Sequence, residues 1–478
     1  MGRSAEGLPH LSTRANACRY RHIGETYLQR PCDWRRLSTM SVRLSTEVRR
    51  NPFRRATLST GVAFWAAAMI AFLGFAANTA ASPLYRIYQA EFGFSATTVT
   101  LLFAVYIVVL LLTLLVLGSV SDYVGRRRVM LAGLASGAVA CGLFLLAHGV
   151  GLLFCARALQ GVAVGLIAGA ASAALLDLRP NSGATPVVSS AAPTGGQALG
   201  AIGASVLAQY AVAPTHLVWW LLLAAFITGA VAVLAMPEPG KLRPGVVSSL
   251  RPQVSLPRGA RGAFATAVPA LIGMWALAGL YLSLGPSLAV QLLHSENLLW
   301  GGILIFLLTG LAAAGSAVLA EKSPSGVMLS GCLALVVGAV VTFAAIETST
   351  AAVLFVGAAV AGLGLGPAFM GAYRSTVALA PPDDRAGLIT AIYIVGYLST
   401  GIPAVIGGIA TSDYGLHETA LVYSVAVAVL AASAVALLAH RMATGRAMRG
   451  THDADAPPGP GTVPPCPPIR ARPGEAKA

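Results

Sequence analysis

Long apolar runs of similar length, parted by short polar stretches, fill the chain from about residue 59 to residue 440. About 20 mostly apolar residues carry a helix across the roughly 30 Å of bilayer hydrocarbon, and a helix satisfies its own backbone groups there. Twelve runs are long enough: 59 to 81, 97 to 119, 129 to 148, 152 to 176, 187 to 212, 216 to 236, 264 to 290, 298 to 319, 327 to 346, 351 to 375, 386 to 409 and 418 to 440. The pattern predicts an all-α integral membrane protein with 12 transmembrane helices. Composition agrees, because 10% charged residues against 56% hydrophobic ones cannot cover the surface of a water-soluble globule.

Charge sets the expected orientation, since cytoplasmic loops carry the excess of Lys and Arg. Of the 32 cations, 29 fall on the face of the N-terminus: twelve arginines before the first span, Arg126 to Arg128, Arg179, Lys241, Arg243, Arg251, Arg258, Arg261, Lys322, Arg385 and the C-terminal set. The loops of the other face hold one, Arg86, while Arg157 and Arg374 fall inside or at the end of spans. Both termini are therefore expected in the cytoplasm, in a multi-pass protein of the cell inner membrane. The net charge of +14 follows from basic loops beside anionic lipid, so the lipid bilayer is the expected partner and nucleic acid is not.

Residues 1–57 read as a disordered basic cytoplasmic tail without a signal-peptide core, with Met1 and Met40 both open as the start; residues 441–478 read as a disordered Pro-rich tail. A hydrophilic linker at 237–262 divides the spans six and six, giving halves 58–236 and 263–440. The halves echo one another: Val129-Met-Leu-Ala-Gly133 returns as Val327-Met-Leu-Ser-Gly331, each opening the third span of its half. Internal repeats of this kind mark many transporters, whose substrate site lies between the halves. The six cysteines and eight histidines show no disulfide or metal-ligand spacing, so neither a metal nor a cofactor is expected.

Chemistry concentrates in a few places. Between spans two and three stands Gly118-Ser-Val-Ser-Asp122-Tyr-Val-Gly125-Arg126-Arg127-Arg128. Gly118, Asp122, Gly125, Arg126 and Arg127 resemble the signature Gly-x-x-x-Asp-Arg-x-Gly-Arg-Arg/Lys of the major facilitator superfamily, with Tyr123 where the family usually has arginine. The resemblance implies two pseudo-symmetric six-helix halves, alternating access, and a conformational latch at this loop in which Asp122 accepts from a helix N-terminus or an arginine across the half-molecule interface. Glycine at 118 is expected to let helices approach closely. Arg157-Ala-Leu-Gln160-Gly161 resembles the superfamily's Arg-x-x-Gln-Gly motif of many proton-coupled members. A charge inside a span is costly and normally faces the bundle interior. Arg157 reads as a cation that modulates a proton site or holds an anionic substrate group, or else as one that snorkels to the surface.

Gly196, Gly200 and Gly203 in span five resemble a degraded form of the Gly-x-x-x-Gly-Pro-x-x-Gly-Gly motif of proton-driven drug exporters, with Ala201 in place of proline; helix packing is the plainer role for small residues at this spacing. Asn78, Tyr106, Gln197, Tyr281, Tyr393 and Tyr397 are candidates to line a central path, and no carboxylate occupies the middle of any span. No phosphate-cradling Gly-x-x-x-x-Gly-Lys-Ser/Thr loop and no His-Glu-x-x-His is present, which argues against an ATP-driven pump and an intramembrane enzyme. The expected function is transport of a small-molecule substrate by a monomer, as proton-linked efflux of amphipathic compounds driven by the proton gradient or, alternatively, as uptake of a sugar or other metabolite.

Overall fold

A computed structural model describes residues 58–179, 184–240, 254–381 and 385–454; the expected tails at 1–57 and 455–478 and most of the linker lie outside these ranges. The described chain forms fourteen helices: α1 (Thr60–Phe92), α2 (Ala96–Leu117), α3 (Ser121–Val124), α4 (Arg126–Leu145), α5 (Val150–Leu178), α6 (Ala184–Tyr210), α7 (Leu217–Ala235), α8 (Arg261–Ser283), α9 (Gly285–Leu293), α10 (Leu299–Val318), α11 (Pro324–Glu347), α12 (Ala351–Val377), α13 (Arg385–Tyr414) and α14 (Leu416–Ala454). Helices α3 and α9 are short, and the remaining twelve coincide with the twelve predicted spans.

Three differences from the sequence reading have local causes. The first helix runs to Phe92 rather than residue 81, because Leu84, Tyr85 and Tyr88 beyond Pro83 still bury against the first half; Gly93, at φ 65, then ends it by donating to Gln89 O. The seventh span breaks at Leu284 into α8 and α9, where Gly285 and Pro286 follow and proline has no N–H for the preceding turn. Helix α14 continues to Ala454, through residues expected in the disordered tail.

Eleven of the long helices are apolar enough to cross a membrane by composition alone. The twelfth, α6, carries Ser189, Ser190, Pro193, Thr194 and Gln197, and it packs between α1 and α10. Protein neighbours rather than lipid thus shield part of its polar surface, which is where membrane proteins tolerate such residues.

Two apolar cores form, one built from residues of α1 to α7 and the other from α8 to α14. Small residues set the helix separations, since lipid removes the hydrophobic drive for association and leaves close van der Waals packing to do that work. The sequence echo is physical. Gly133 of α4 meets Ala163 O and the Ile167 side chain of α5, while Gly331 of α11 meets Ala368 and Gly364 O of α12. Val129, Met130, Val327 and Met328 are all buried at the matching positions.

Two seams join the halves. In one, a Cβ on Gly302 of α10 would collide with the Ser205 hydroxyl of α6, and Gln209 Oε1 accepts from Leu298 N at 2.9 Å. In the other, Gly408 of α13 fits against Thr100 of α2, Gly401 against Ile107, and the hydroxyls of Thr97 and Ser412 lie 2.9 Å apart. The Thr97–Ser412 and Gln209–Leu298 contacts both lie at the end of the bundle opposite the arginine-rich loop, here called the far end.

Gly196 and Gly200 admit α1 to α6 so closely that a Cβ on either would collide with the backbone of Phe72 or Ala76, and Thr79 Oγ1 donates to Gln197 O at 2.8 Å across this contact. Gly203 does not share the role, because no atom lies within 4 Å of where its Cβ would stand. Gly200→Ala is therefore expected to lower the thermal unfolding midpoint of the detergent-solubilised protein through an overpacking cost of about 1–3 kcal/mol. Gly203→Ala should leave it unchanged or raise it through the helix-propensity gain of up to about 1 kcal/mol. Equal effects of the two substitutions would contradict this packing assignment.

Candidate functional site

Arg157 stands near the start of α5, about 10 Å along the helix from its first residue. It is 1% exposed, which rules out the snorkelling alternative. Its Nη1 donates to Gln160 Oε1 at 2.8 Å, Asn78 Oδ1 at 3.2 Å and Asn78 O at 3.3 Å, and its Nε approaches Leu102 O at 3.5 Å. The guanidinium also lies over the Tyr106 ring at 4.5 Å, with the Tyr85 ring at 5.8 Å. No carboxylate pairs with it: both ion pairs among the described residues belong to Arg126.

Local sequence explains this cage. Arg157 and Gln160 are three residues apart, hence on one face of α5, and Gln160 Nε2 is itself fixed by Ala77 O at 3.1 Å on α1. Burying an unpaired ion costs several kcal/mol. Charge-assisted bonds to amide and carbonyl oxygens together with the cation–π contact offset that cost. Gly161 is a packing position instead of a ligand, since a Cβ there would stand 2.7 Å from Tyr106 O and 3.0 Å from Leu110 N on α2.

Tyr106 leads from the cage into an aromatic seam between the halves. It clusters with Phe103, Ile107, Leu110, Val164, Tyr397 and Ala404, with Trp275 and Tyr393 packed alongside. Trp275 meets Tyr397 edge-on at 4.8 Å between centroids; Tyr393 stacks on Tyr397 at 6.1 Å; Phe369 lies 6.3 Å from Trp275 and 6.2 Å from Tyr393. Gly396 makes room for the indole, because a Cβ there would stand 2.7 Å from the ring. Sequence reading missed Trp275 and Phe369. The available signal was a tryptophan in the middle of a span, away from the interfacial belt where tryptophan usually sits.

Two other candidates lie elsewhere. Tyr281 is 1% exposed inside the second half, its hydroxyl 2.5 Å from Thr342 Oγ1 of α11, so it is a core residue and does not line the seam. The Gln197 side chain is half-buried and makes no hydrogen bond among the described residues; its backbone carbonyl serves the contact with α1. A cavity of about 110 Å³ at the far end, lined by Gln291, His294, Ser349 and His417 among others, is built wholly from the second half and is separate from the Arg157 cage.

At the opposite end, the arginine-rich loop folds onto its own half. Asp122 pairs with Arg126, whose Nε reaches Asp177 Oδ2 at 3.1 Å and whose Nη1 donates to Ser121 Oγ at 2.6 Å. Glu238, just after α7, accepts from the backbone N–H groups of Arg126 at 2.7 Å and Arg127 at 3.3 Å. A carboxylate thus caps the N-terminus of α4, where the helix dipole favours negative charge. Arg127 donates to Leu234 O. Gly125 is required at φ 108, and a Cβ would stand 2.8 Å from Glu238 Oε2. Gly118 follows α2 with helical dihedrals, a Cβ there would meet Leu114 O, and Gly169 of α5 passes close by, its Cβ position 3.5 Å from Gly118 O. These Asp122, Arg126 and Arg127 contacts lie within the first half: of the two partners expected for Asp122, a helix N-terminus or an arginine across the half-molecule interface, the contact made is with Arg126, the first residue of α4. Glu238 was read only as linker.

The family model for the Major Facilitator Superfamily matches residues 64–325, more than half of the chain. No curated protein sequence matches. Among solved structures, the chain is similar to the nucleoside transporter NupG, with 12% identity, 78% of this chain and 99% of that one covered, and a TM-score of 0.60. It is also similar to the human organic anion transporter MFSD10 (TETRAN), with 16% identity, coverage of 80% and 100%, and a TM-score of 0.59. At these identities the likeness speaks for the fold, which is twelve helices in two six-helix halves. From the matched sequence, the shared fold and the loop at Gly118 to Arg127, the chain belongs to the major facilitator superfamily.

Proposed function

We propose that the protein moves a small amphipathic organic solute across the cytoplasmic membrane by alternating access, as proton-linked export, with both termini in the cytoplasm. The observation that supports this most directly is the pairing of one buried cation, Arg157, with an aromatic seam where the two halves meet. A sugar needs a wall of mixed donors and acceptors to replace its hydration; the seam offers rings and few acceptors, which favours an amphipathic compound. Proton linkage is supported by the resemblance at Arg157, Gln160 and Gly161, and the 29 cations on one face support the orientation. The Asp122–Arg126–Glu238 cluster serves in this reading to fix the loop between α2 and α4 in the shape from which it latches one conformation.

The direct test is flux of amphipathic dyes and sugars into liposomes carrying the purified protein, with and without an imposed pH gradient. Gradient-driven dye movement is expected; flux indifferent to pH would remove proton linkage, and sugar flux would turn the reading to uptake. In the same assay Arg157→Ala should reduce transport at least tenfold, the loss of a charged hydrogen-bonding group being worth about 1.5–3 kcal/mol. Correct insertion is verified by size-exclusion profile, and unchanged kinetics would return Arg157 to a structural role.

Alternating access requires the far-end seam to part. With Cys18, Cys32, Cys155 and Cys466 replaced by serine, Thr97→Cys combined with Ser412→Cys should form a disulfide, since the native hydroxyls are 2.9 Å apart. Oxidation should then arrest transport and reduction restore it. Full activity of the crosslinked protein would rule out separation of α2 from α13 during the cycle.

A further inference from the structure

We infer that the solute is an organic anion with a flat aromatic body, its anionic group directed to the Arg157 cage and its ring to the Trp275–Tyr397 seam. This rests on the transport reading above and names the substrate class for the same site. Three independent observations converge on it.

The first is charge. Arg157 is the one charged side chain in the buried set of the described residues, and no Asp or Glu is buried with it. A cationic solute would meet an uncompensated positive charge beside Tyr106 and no counter-ion, whereas an anion supplies the missing partner.

The second is the direction of the unfilled hydrogen-bonding capacity. The acceptors around Arg157, namely Asn78 Oδ1, Gln160 Oε1 and the carbonyls of Asn78, Ala77 and Leu102, are all engaged. Donors remain over. Arg157 Nη2 and Asn78 Nδ2 make no hydrogen bond among the described residues. The Tyr85 hydroxyl, whose ring faces the guanidinium, and the Trp275 indole Nε1 are buried without partners. Guanidinium, primary amide and indole N–H groups can only donate, and the hydroxyl can do so by rotation. Unfilled donors of this kind, two of them fully buried, call for an acceptor-rich ligand, and a carboxylate or sulfonate is the most compact group with several acceptor sites and the right charge.

The third is shape. Trp275, Phe369, Tyr393 and Tyr397 present rings in offset and edge-on contacts at centroid separations from 4.8 to 6.3 Å. A flat ring joins such a cluster by stacking or edge contact and gains over an alkyl chain of equal area. Tyr106 belongs both to the cage, through its 4.5 Å contact with Arg157, and to the seam cluster, so head and body positions are contiguous.

The test uses the full chain in lipid nanodiscs for binding and in liposomes for flux, with three probes: 2-naphthoate, 2-naphthylmethylammonium and octanoate. Expected are tryptophan quenching and flux with 2-naphthoate, none with the ammonium probe, and binding of octanoate about tenfold weaker. Arg157→Gln should abolish 2-naphthoate binding; Trp275→Phe, which keeps a ring and removes the N–H, should weaken binding about tenfold by isothermal titration calorimetry, which does not depend on the lost indole, while the thermal midpoint stays put. Preference for the ammonium probe, or failure of both naphthyl probes to bind, would overturn the anion assignment, and dye flux would still stand for the transport reading. Octanoate equal to 2-naphthoate would overturn the aromatic body. Binding of 2-naphthoate without flux of any probe would support the site and instead sink the transport reading.

Discussion

A guanidinium buried in a membrane protein without a carboxylate is the constraint around which the first half is arranged. Arg157 must find oxygen atoms, and the nearest are on other helices: the Asn78 side chain and carbonyl on α1, the Leu102 carbonyl on α2, and Gln160 on its own helix, itself braced against α1. One side chain thereby fixes the relative height and rotation of three helices. The same three bring Tyr106 to the seam. A neutral residue at this position would leave the side-chain oxygens of Asn78 and Gln160 to be satisfied by other means in a place with little water.

Around that fixed point the packing is set by absence of side chain. Gly196 and Gly200 seat α6 on α1, Gly302 seats α10 on α6, and Gly401 and Gly408 seat α13 on α2. These contacts chain the cage to both seams, so the spacing of the halves depends on positions that carry no chemistry of their own. The matched glycines 133 and 331 show that the twofold relation between halves reaches down to individual contacts.

How far the sequence could be read follows from what each feature depends on. The twelve crossings were legible because hydropathy over about 20 residues is a local property, and even α6, the least apolar, stood out between its loops. Arg157 was legible because charge in an apolar run is conspicuous. Rotation about a helix axis was not. Tyr281 and Tyr397 look alike in sequence, yet one faces Thr342 in a core and the other the seam. Gly203 lies one turn beyond Gly200, but no atom stands within 4 Å of its Cβ position. Glu238 was hidden for a different reason: its partners are backbone N–H groups more than a hundred residues away, which no local pattern encodes.

The prolines of α1 and of the α8–α9 junction, near the far end, differ in effect. Pro83 lies within an uninterrupted α1, whereas Pro286, preceded by glycine, stands where α8 gives way to α9. The hydrogen bonds on either side of the break persist, Leu284 N to Leu280 O and Leu288 N to Leu284 O, both at 2.9 Å. The chain there is a joint between two intact rods, while its counterpart is a single rod. The symmetry of the bundle is thus one of layout and not of continuity: its two leading helices are alike in position, one running unbroken past its proline and the other divided beside it.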